Sequence, residues 1–214
     1  WSFSFGIGLM SADQSAKVDS KPTFHIAKGL NHDGSLLKYY KRGLDYAVNY
    51  FGNYGPYHIY LFGPEHEKSV RAMFKERAMS RIDPNSKETV EDQVDEFLSR
   101  QNVVEEIKSI LAGESSGGLT WTLGPIRIYE DITTNATERA KRPIENTWGA
   151  MHEYHHVFQI AHSAAEQERT ADKNSCSWMR EGMATYSSAK FMENLKFIDF
   201  TEYMLELRKF GANI

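Results

Sequence analysis

The stretch ENTWGAMHEYHHVFQIAH, from Glu145 to His162, carries four histidines and a glutamate in its last eleven positions. Successive residues of an α-helix turn by about 100°, so that the face opposite His152 collects apolar side chains. These are Ala150, Tyr154, Val157, Phe158 and Ala161. The pattern predicts a helix that buries this apolar face and turns its histidines towards a cleft.

Within this helix, His152, Glu153 and His156 form the pattern H-E-x-x-H. Two histidines four residues apart differ by about 40° in direction and by about 6 Å along the axis, so both imidazoles can bind one ion. Glu153 points about 100° away from His152 and therefore flanks the ion. That position suits a general base acting on a water that the metal activates.

The residues alone leave two candidates for a third ligand. His162 has the ligand spacing of the metzincin pattern, in which Met179 or Met183 would form the Met-turn. That pattern needs a turn-forming glycine where this chain has Gln159, and a continuous helix would carry His162 about 15 Å along the axis from His152. The other candidate is Glu181, which lies 25 residues after His156 on a second predicted helix.

HEYHH followed by WMREGMATY resembles the gluzincin metallopeptidases, particularly thermolysin-like and peptidase-MA-like forms with a W-x-x-E-G-x-A-x-Y helix. The resemblance covers the segment from Thr147 to Tyr186. It implies a zincin-like fold, His152, His156 and Glu181 as zinc ligands, and Glu153 as general base. Thermolysin-like members carry an aspartate four residues after the glutamate, where this chain has Thr185, so the partner that orients one histidine is unassigned.

The resemblance also implies further features of the site. Gluzincins stabilise the oxyanion with a tyrosine or histidine, for which Tyr186 and Tyr203 are candidates by residue type. They commonly bind substrate along the edge of a strand before the zinc helix, a place that Ile126–Glu130 occupies, although an ordinary interior strand is equally compatible with the sequence. Gln159 points towards the cleft and is a candidate contact for substrate or a ligand, whereas His155 is expected to pack at the flank.

Zinc is the expected ion, because two imidazoles are unsuitable ligands for magnesium or calcium, while residue type alone also allows manganese, cobalt or nickel. Gly182 and Ala184 are expected to let the helix of Glu181 approach the histidine helix closely.

Periodicity, capping residues and turn residues predict the other elements. We expect helices over Asp33–Gly52, Ser177–Asn194 and Asp199–Phe210, and one long helix or two joined helices over Ser86–Gly113. We expect a strand over Pro56–Gly63 and one or two strands between Leu119 and Ile132. The predicted class is α+β: a mainly helical, zincin-like domain with a small sheet before the H-E-x-x-H helix. We expect one domain over residues 1–214, with the sheet in 1–132 and the metal site in the helical part, 133–214.

Composition and charge argue against some classes of binding partner. The net charge of -4, without a basic block, argues against a nucleic-acid partner, and the longest apolar runs are too short to span a membrane. Cys176, the only cysteine, excludes an internal disulfide and a thiolate cluster. SFGIGLMSA near Trp1 is compatible with the end of an export segment or with a first strand, and we expect an extracellular or periplasmic protein.

These features together predict a zinc-dependent hydrolase, most simply a peptidase acting on a peptide or protein. Only 33 residues follow Glu181, so we expect one wall of the cleft to be short or missing. Two alternatives remain open at this point: an inactive zincin-fold binding or accessory protein, and a metal-dependent hydrolase of a non-peptide amide or ester.

Overall fold

A computed structural model describes residues 20–30, 34–63, 65–79, 82–83, 85–100, 117–123, 126–133, 136–162 and 177–211. The predicted export segment or first strand near Trp1, and the part of the predicted Ser86–Gly113 helix after Arg100, lie outside these residues.

The described chain contains more helix than strand. The strands are β1 Thr23–Ile26, β2 Tyr57–Leu61, β3 Gly117–Leu123 and β4 Ile126–Thr133. The helices are α1 Ser35–Phe51, α2 Glu67–Met79, α3 Val90–Arg100, α4 Ala136–Ala140, α5 Pro143–His162, α6 Ser177–Asn194 and α7 Phe200–Gly211. This mixture confirms the α+β class with helices dominating. The structure adds β1, α2 and α4, which were not predicted.

The four strands form one mixed sheet in the order β1-β2-β4-β3. β1, β2 and β4 run parallel, and β3 pairs antiparallel with β4 at the end of the sheet. The hypothesis that Ile126–Glu130 form a free edge is therefore wrong, because this segment pairs with β3 along its length and Tyr129 onwards also pairs with β2. Among the described strands, β3 forms the edge of the sheet next to β4.

Alternation along the strands gives the sheet two different faces. Tyr57 of β2 packs edge-on against Tyr154 of α5, with ring centroids 5.6 Å apart. On the other face, Glu130 of β4 is fully buried against Arg77 of α2, with Nε 3.1 Å from a carboxylate oxygen. The sheet is thus covered by α5 on one side and by α2 on the other.

Helix α1 packs along α5 at very short range. A side chain at Gly43 would overlap the carbonyl group of Thr147, so only glycine allows this approach. The hydroxyl of Thr147 donates a hydrogen bond of 3.0 Å to the carbonyl of Tyr39, which fixes the two helices lengthwise. The helix that carries the histidines is therefore held rigidly from behind.

The start of α3 differs from the prediction. The helix was expected to begin at Ser86, but it begins at Val90. Thr89 accepts a hydrogen bond from the backbone N–H of Asp92 at 3.2 Å and donates one to its carboxylate at 2.7 Å. Thr89 is the cap because its partner three residues later is acidic, whereas Ser86 forms a local turn with Glu88. Among the described helices, none is long and apolar enough to cross a membrane.

Candidate metal centre

The orientation of α5 agrees with its sequence periodicity. Ala150, Tyr154 and Val157 are buried, while Phe158 and Ala161 are half-buried. The side chains of His152 and His156 leave the helix on the other side and are 11% and 16% exposed. Both imidazoles therefore lie at the protein surface with most of each ring covered.

Three of the predicted site residues meet at one point. The Nε2 atoms of His152 and His156 are 3.2 Å apart, and Oε2 of Glu181 lies 3.2 Å from the first and 3.5 Å from the second. In the described part of the chain, these residues are the one group of three or more such side chains whose donor atoms converge closely enough for a metal ion. The Glu181 side chain is 55% exposed, so this side of the group faces solvent.

The spacing of these three atoms suits zinc. Ligand atoms at about 2.1 Å from a tetrahedral zinc ion lie about 3.4 Å from one another, and the separations here are 3.2 to 3.5 Å. Two imidazoles and one carboxylate leave a fourth position open, which is the pattern of catalytic sites. Mg²⁺ and Ca²⁺ prefer oxygen ligands and fit this set poorly.

Glu181 reaches the histidines because α6 packs against α5. Ala184 is completely buried in the protein, in agreement with a close helix approach. The prediction that Gly182 also allows this approach is wrong, because Gly182 is exposed and a side chain there would meet open space. Gln159 adds a polar link, since its Nε2 donates a hydrogen bond of 3.1 Å to the carbonyl of Arg180.

The orienting partner of His156 is Gln159 on the same helix. Oε1 of Gln159 lies 2.8 Å from Nδ1 of His156. An amide oxygen only accepts, so Nδ1 carries the proton and Nε2 keeps its lone pair for a metal. Gln159 was predicted to contact either the substrate or a metal ligand. In the structure it contacts a candidate metal ligand, His156.

His152 is held differently. Its ring lies against the indole of Trp148, with centroids 4.8 Å apart, and its Nδ1 is buried without a hydrogen-bond partner among the described residues. Thr185 therefore does not replace the orienting aspartate of the thermolysin-like pattern. Burial lowers the pKa of His152, and the nearby His156 lowers it further, while Glu181 acts in the opposite direction. A lowered pKa keeps the imidazole neutral and able to bind metal.

Glu153 lies beside the ligands in an acidic and largely covered environment. Burial raises the pKa of Glu153, and its charge interacts with those of His156, Arg139 and Glu181. Asp131 of β4 is buried next to it, and burial followed by the charge of Glu153 raises the pKa of Asp131 well above the usual range. The carboxylate predicted as general base therefore faces a second acid from the sheet.

His155 lies off the ligand direction, as predicted, but it packs between helices instead of at a flank. It is 4% exposed, and its Nδ1 is 2.6 Å from the hydroxyl of Ser187 on α6. Burial lowers the pKa of His155 to about 4, with smaller contributions from His156 and His152. A neutral His155 thus helps to hold α6 against α5.

The metzincin alternative does not match the geometry. Helix α5 continues through Gln159 to His162, whose Nδ1 is 2.9 Å from the carbonyl of Phe158. Ten residues of helix separate His162 from His152 by about 15 Å. Met179 and Met183 both lie exposed on α6, so neither forms a tight turn below the metal.

The two tyrosine candidates lie on different surfaces. Tyr186 is 51% exposed and packs edge-on against Phe200, with centroids 5.2 Å apart. Tyr203 of α7 lines a cleft of about 370 Å³ together with Trp148, the neighbour of His152. Of the two, Tyr203 is the one linked to the metal-ligand group, through Trp148, whose indole lies against His152.

Comparisons with models of known protein families, with curated proteins and with solved structures found no match to this chain. The resemblance to gluzincins therefore stays at the level of two sequence motifs. The geometry above is an independent observation on the same residues.

Two residues near the site were not identified from the sequence. Asp131 lies in the strand segment IYEDI. Two neighbouring acidic residues within an otherwise apolar strand could have indicated that a carboxylate is buried in the sheet. Arg139 of the short helix α4 interacts with His152, Glu153 and Asp131 through its charge. No motif surrounds Arg139, so only the fold brings it to the site.

Proposed function

We propose that this protein is a zinc-dependent hydrolase whose substrates are peptides. The observation that carries the proposal is the convergence of three donor atoms from two helices at 3.2 to 3.5 Å, with Glu153 directly after the first ligand. A site that only bound metal for stability would be expected to be closed by a fourth side chain. This group is instead open to solvent at Glu181.

Each residue then has a role. Neutral His152 and His156 and the carboxylate of Glu181 would hold the ion, and Gln159 keeps His156 in the tautomer that can bind it. When bound there, zinc would supply a water of lowered pKa and polarisation of the substrate carbonyl. Glu153 accepts the proton of the attacking water and delivers it to the amine nitrogen as the C–N bond breaks.

The environment of Glu153 suits a base that later acts as an acid. Burial raises its pKa, which brings a carboxylate closer to the pH at which it both accepts and donates a proton efficiently. Arg139 and His156 act in the opposite direction and favour the ionised form.

The sheet edge supports a peptide as substrate. β3 packs against α5, and its outer side carries no strand among the described residues. An extended peptide can pair with such an edge through main-chain hydrogen bonds. This supports a peptide-binding role for β3 instead of Ile126–Glu130.

The test is hydrolysis of a peptide library by the zinc-loaded protein and by Glu153→Gln. We expect Glu153→Gln to bind one zinc per chain as the wild type does and to lose activity by about 10²- to 10⁴-fold. Glu206→Gln, the same change at an exposed position of α7, should leave activity unchanged. A wild type that binds zinc but cleaves no peptide would favour the accessory protein, and cleavage of esters or non-peptide amides alone would favour the third alternative.

A further inference from the structure

The cleft beside the metal-ligand group has a single positive charge in a mainly apolar wall. Its volume is about 370 Å³, and its apolar lining comes from Ile144, Trp148, Met192, Ile198 and the ring of Tyr203. Arg139 and Glu145 are its charged residues. Glu145 is 60% exposed and lies 3.5 Å from Arg142, which offsets part of its charge, although this charge also reaches Tyr203 in the cleft.

Arg139 is fixed in place by its backbone. Asn146, which is completely buried at the start of α5, donates a hydrogen bond of 2.8 Å from Nδ2 to the carbonyl of Arg139. The side chain then runs along α5, where Nη1 would lie 3.2 Å from a β-carbon at Gly149. Glycine at this position leaves room for the guanidinium against the helix.

The guanidinium itself has no hydrogen-bond or ion-pair partner among the residues that the structure describes. It is half-buried, and it lies near enough to Asp131 and Glu153 to affect their protonation without contacting either one. A half-buried guanidinium with free N–H groups is well suited to bind a carboxylate through two parallel hydrogen bonds.

The position of Arg139 relative to the ligands sets the length of the substrate. Gly149 precedes His152 by three residues, and β-carbon positions at this spacing on a helix are about 5 to 6 Å apart, with the guanidinium of Arg139 beside the first of them. One extended residue spans about 3.5 Å, and a charged hydrogen bond adds about 2.8 Å. A carboxylate one residue beyond the scissile carbonyl therefore reaches Arg139 when that carbonyl is at the metal site.

We propose that the cleft binds the C-terminal residue of a peptide, with an apolar side chain against Trp148 and Met192 and the α-carboxylate on Arg139. This inference rests on the proposed function and narrows it to removal of C-terminal apolar residues. Water adds to the penultimate carbonyl carbon, the C–N bond breaks, and the free amino acid leaves with the proton on its nitrogen. An internal peptide would present an uncharged amide where Arg139 offers a full charge.

The experiment compares two substrates that differ only at the C-terminus: N-acylated Gly-Leu with a free carboxylate, and the same peptide as its C-terminal amide. We expect the wild type to prefer the acid by about 10- to 100-fold in kcat/KM, mainly through KM. Arg139→Gln should reduce this preference to about one, and Arg139→Lys should give an intermediate value because lysine lacks the planar fork. Arg142→Gln, whose side chain is 69% exposed, is the matched control and should keep the preference.

A binding measurement separates the failure of this inference from the failure of the proposed function. Calorimetry with zinc-loaded Glu153→Gln should show tighter binding of the acid than of the amide, and the added change Arg139→Gln should remove the difference. Binding of this kind without hydrolysis by the wild type would overturn the proposed function and leave the inference standing. Equal use of acid and amide by the wild type, or internal cleavage of longer peptides by mass spectrometry, would overturn the inference and leave the hydrolase.

Discussion

Gln159 should control zinc affinity although it does not contact the ion. Its Oε1 lies 2.8 Å from Nδ1 of His156, and its Nε2 donates a hydrogen bond of 3.1 Å to the carbonyl of Arg180, next to Glu181. The change Gln159→Leu keeps the approximate size and removes both contacts. Each hydrogen bond contributes about 0.5 to 1.5 kcal/mol, so the loss of both is worth about 1 to 3 kcal/mol.

Loss of the bond to His156 should decrease zinc affinity by about 10- to 100-fold, which is the usual effect of removing a residue that orients a ligand. The assay is a competitive zinc titration against a chromophoric chelator at neutral pH. Thr185→Val is the control, because Thr185 occupies the aspartate position of the thermolysin-like pattern but does not bond to His152. Its affinity should equal that of the wild type.

Thermal unfolding of the metal-free proteins separates the two contacts of Gln159. Loss of the interhelix bond to Arg180 should lower the free energy of unfolding even without metal, whereas loss of the bond to His156 should affect zinc binding alone. Wild-type zinc affinity in Gln159→Leu would refute the reasoning, as would a loss of affinity in Thr185→Val as large as that in Gln159→Leu.

Two further predictions concern stability. The pKa of His155 is lowered to about 4 in the folded state, so its contribution is complete above the unfolded pKa of about 6.5 and is lost as the pH falls towards 4. Urea unfolding of the metal-free protein at pH 7 and pH 4.5 should therefore show about 1 to 2 kcal/mol less pH dependence in His155→Leu, and an unchanged dependence would contradict the assignment. Arg77→Met should lower the free energy of unfolding by about 3 to 5 kcal/mol, because it leaves the charge of the buried Glu130 uncompensated. Arg142→Met, at the exposed pair with Glu145, should lower it by less than about 1 kcal/mol. Equal losses of stability in the two variants would contradict this account.

The histidine helix could be predicted from the sequence because its signal is local. Helical periodicity alone places His152 and His156 on one side and Tyr154 on the other, and the burial of α5 follows this pattern. The absence of a turn at Gln159 could also be predicted from local sequence, because glycine is missing there. Helix α5 does continue through Gln159. Glu181 required the downstream motif, because a 25-residue gap carries no information about which helices meet.

The features that escaped prediction depend on pairing between distant segments. Whether Ile126–Glu130 is an edge or an interior strand depends on β3, which folds back antiparallel and takes the outer position. Asp131 and Arg139 reach the site only through the fold, which brings β4 and the short helix α4 close to Glu153 of α5. Gly182 was predicted to lie at the helix contact because it is small, but it lies on the exposed side of α6. Ala184, two residues later, is the small residue that is buried.

The most direct test of the central claim is X-ray absorption at the zinc edge of the protein loaded with one equivalent of zinc. We predict two imidazole nitrogens and oxygen ligands at about 2.0 to 2.1 Å, with loss of one imidazole in His156→Ala and no change in His162→Ala. A sulfur ligand from Cys176, or a spectrum that changes in His162→Ala but not in His156→Ala, would contradict the site formed by His152, His156 and Glu181.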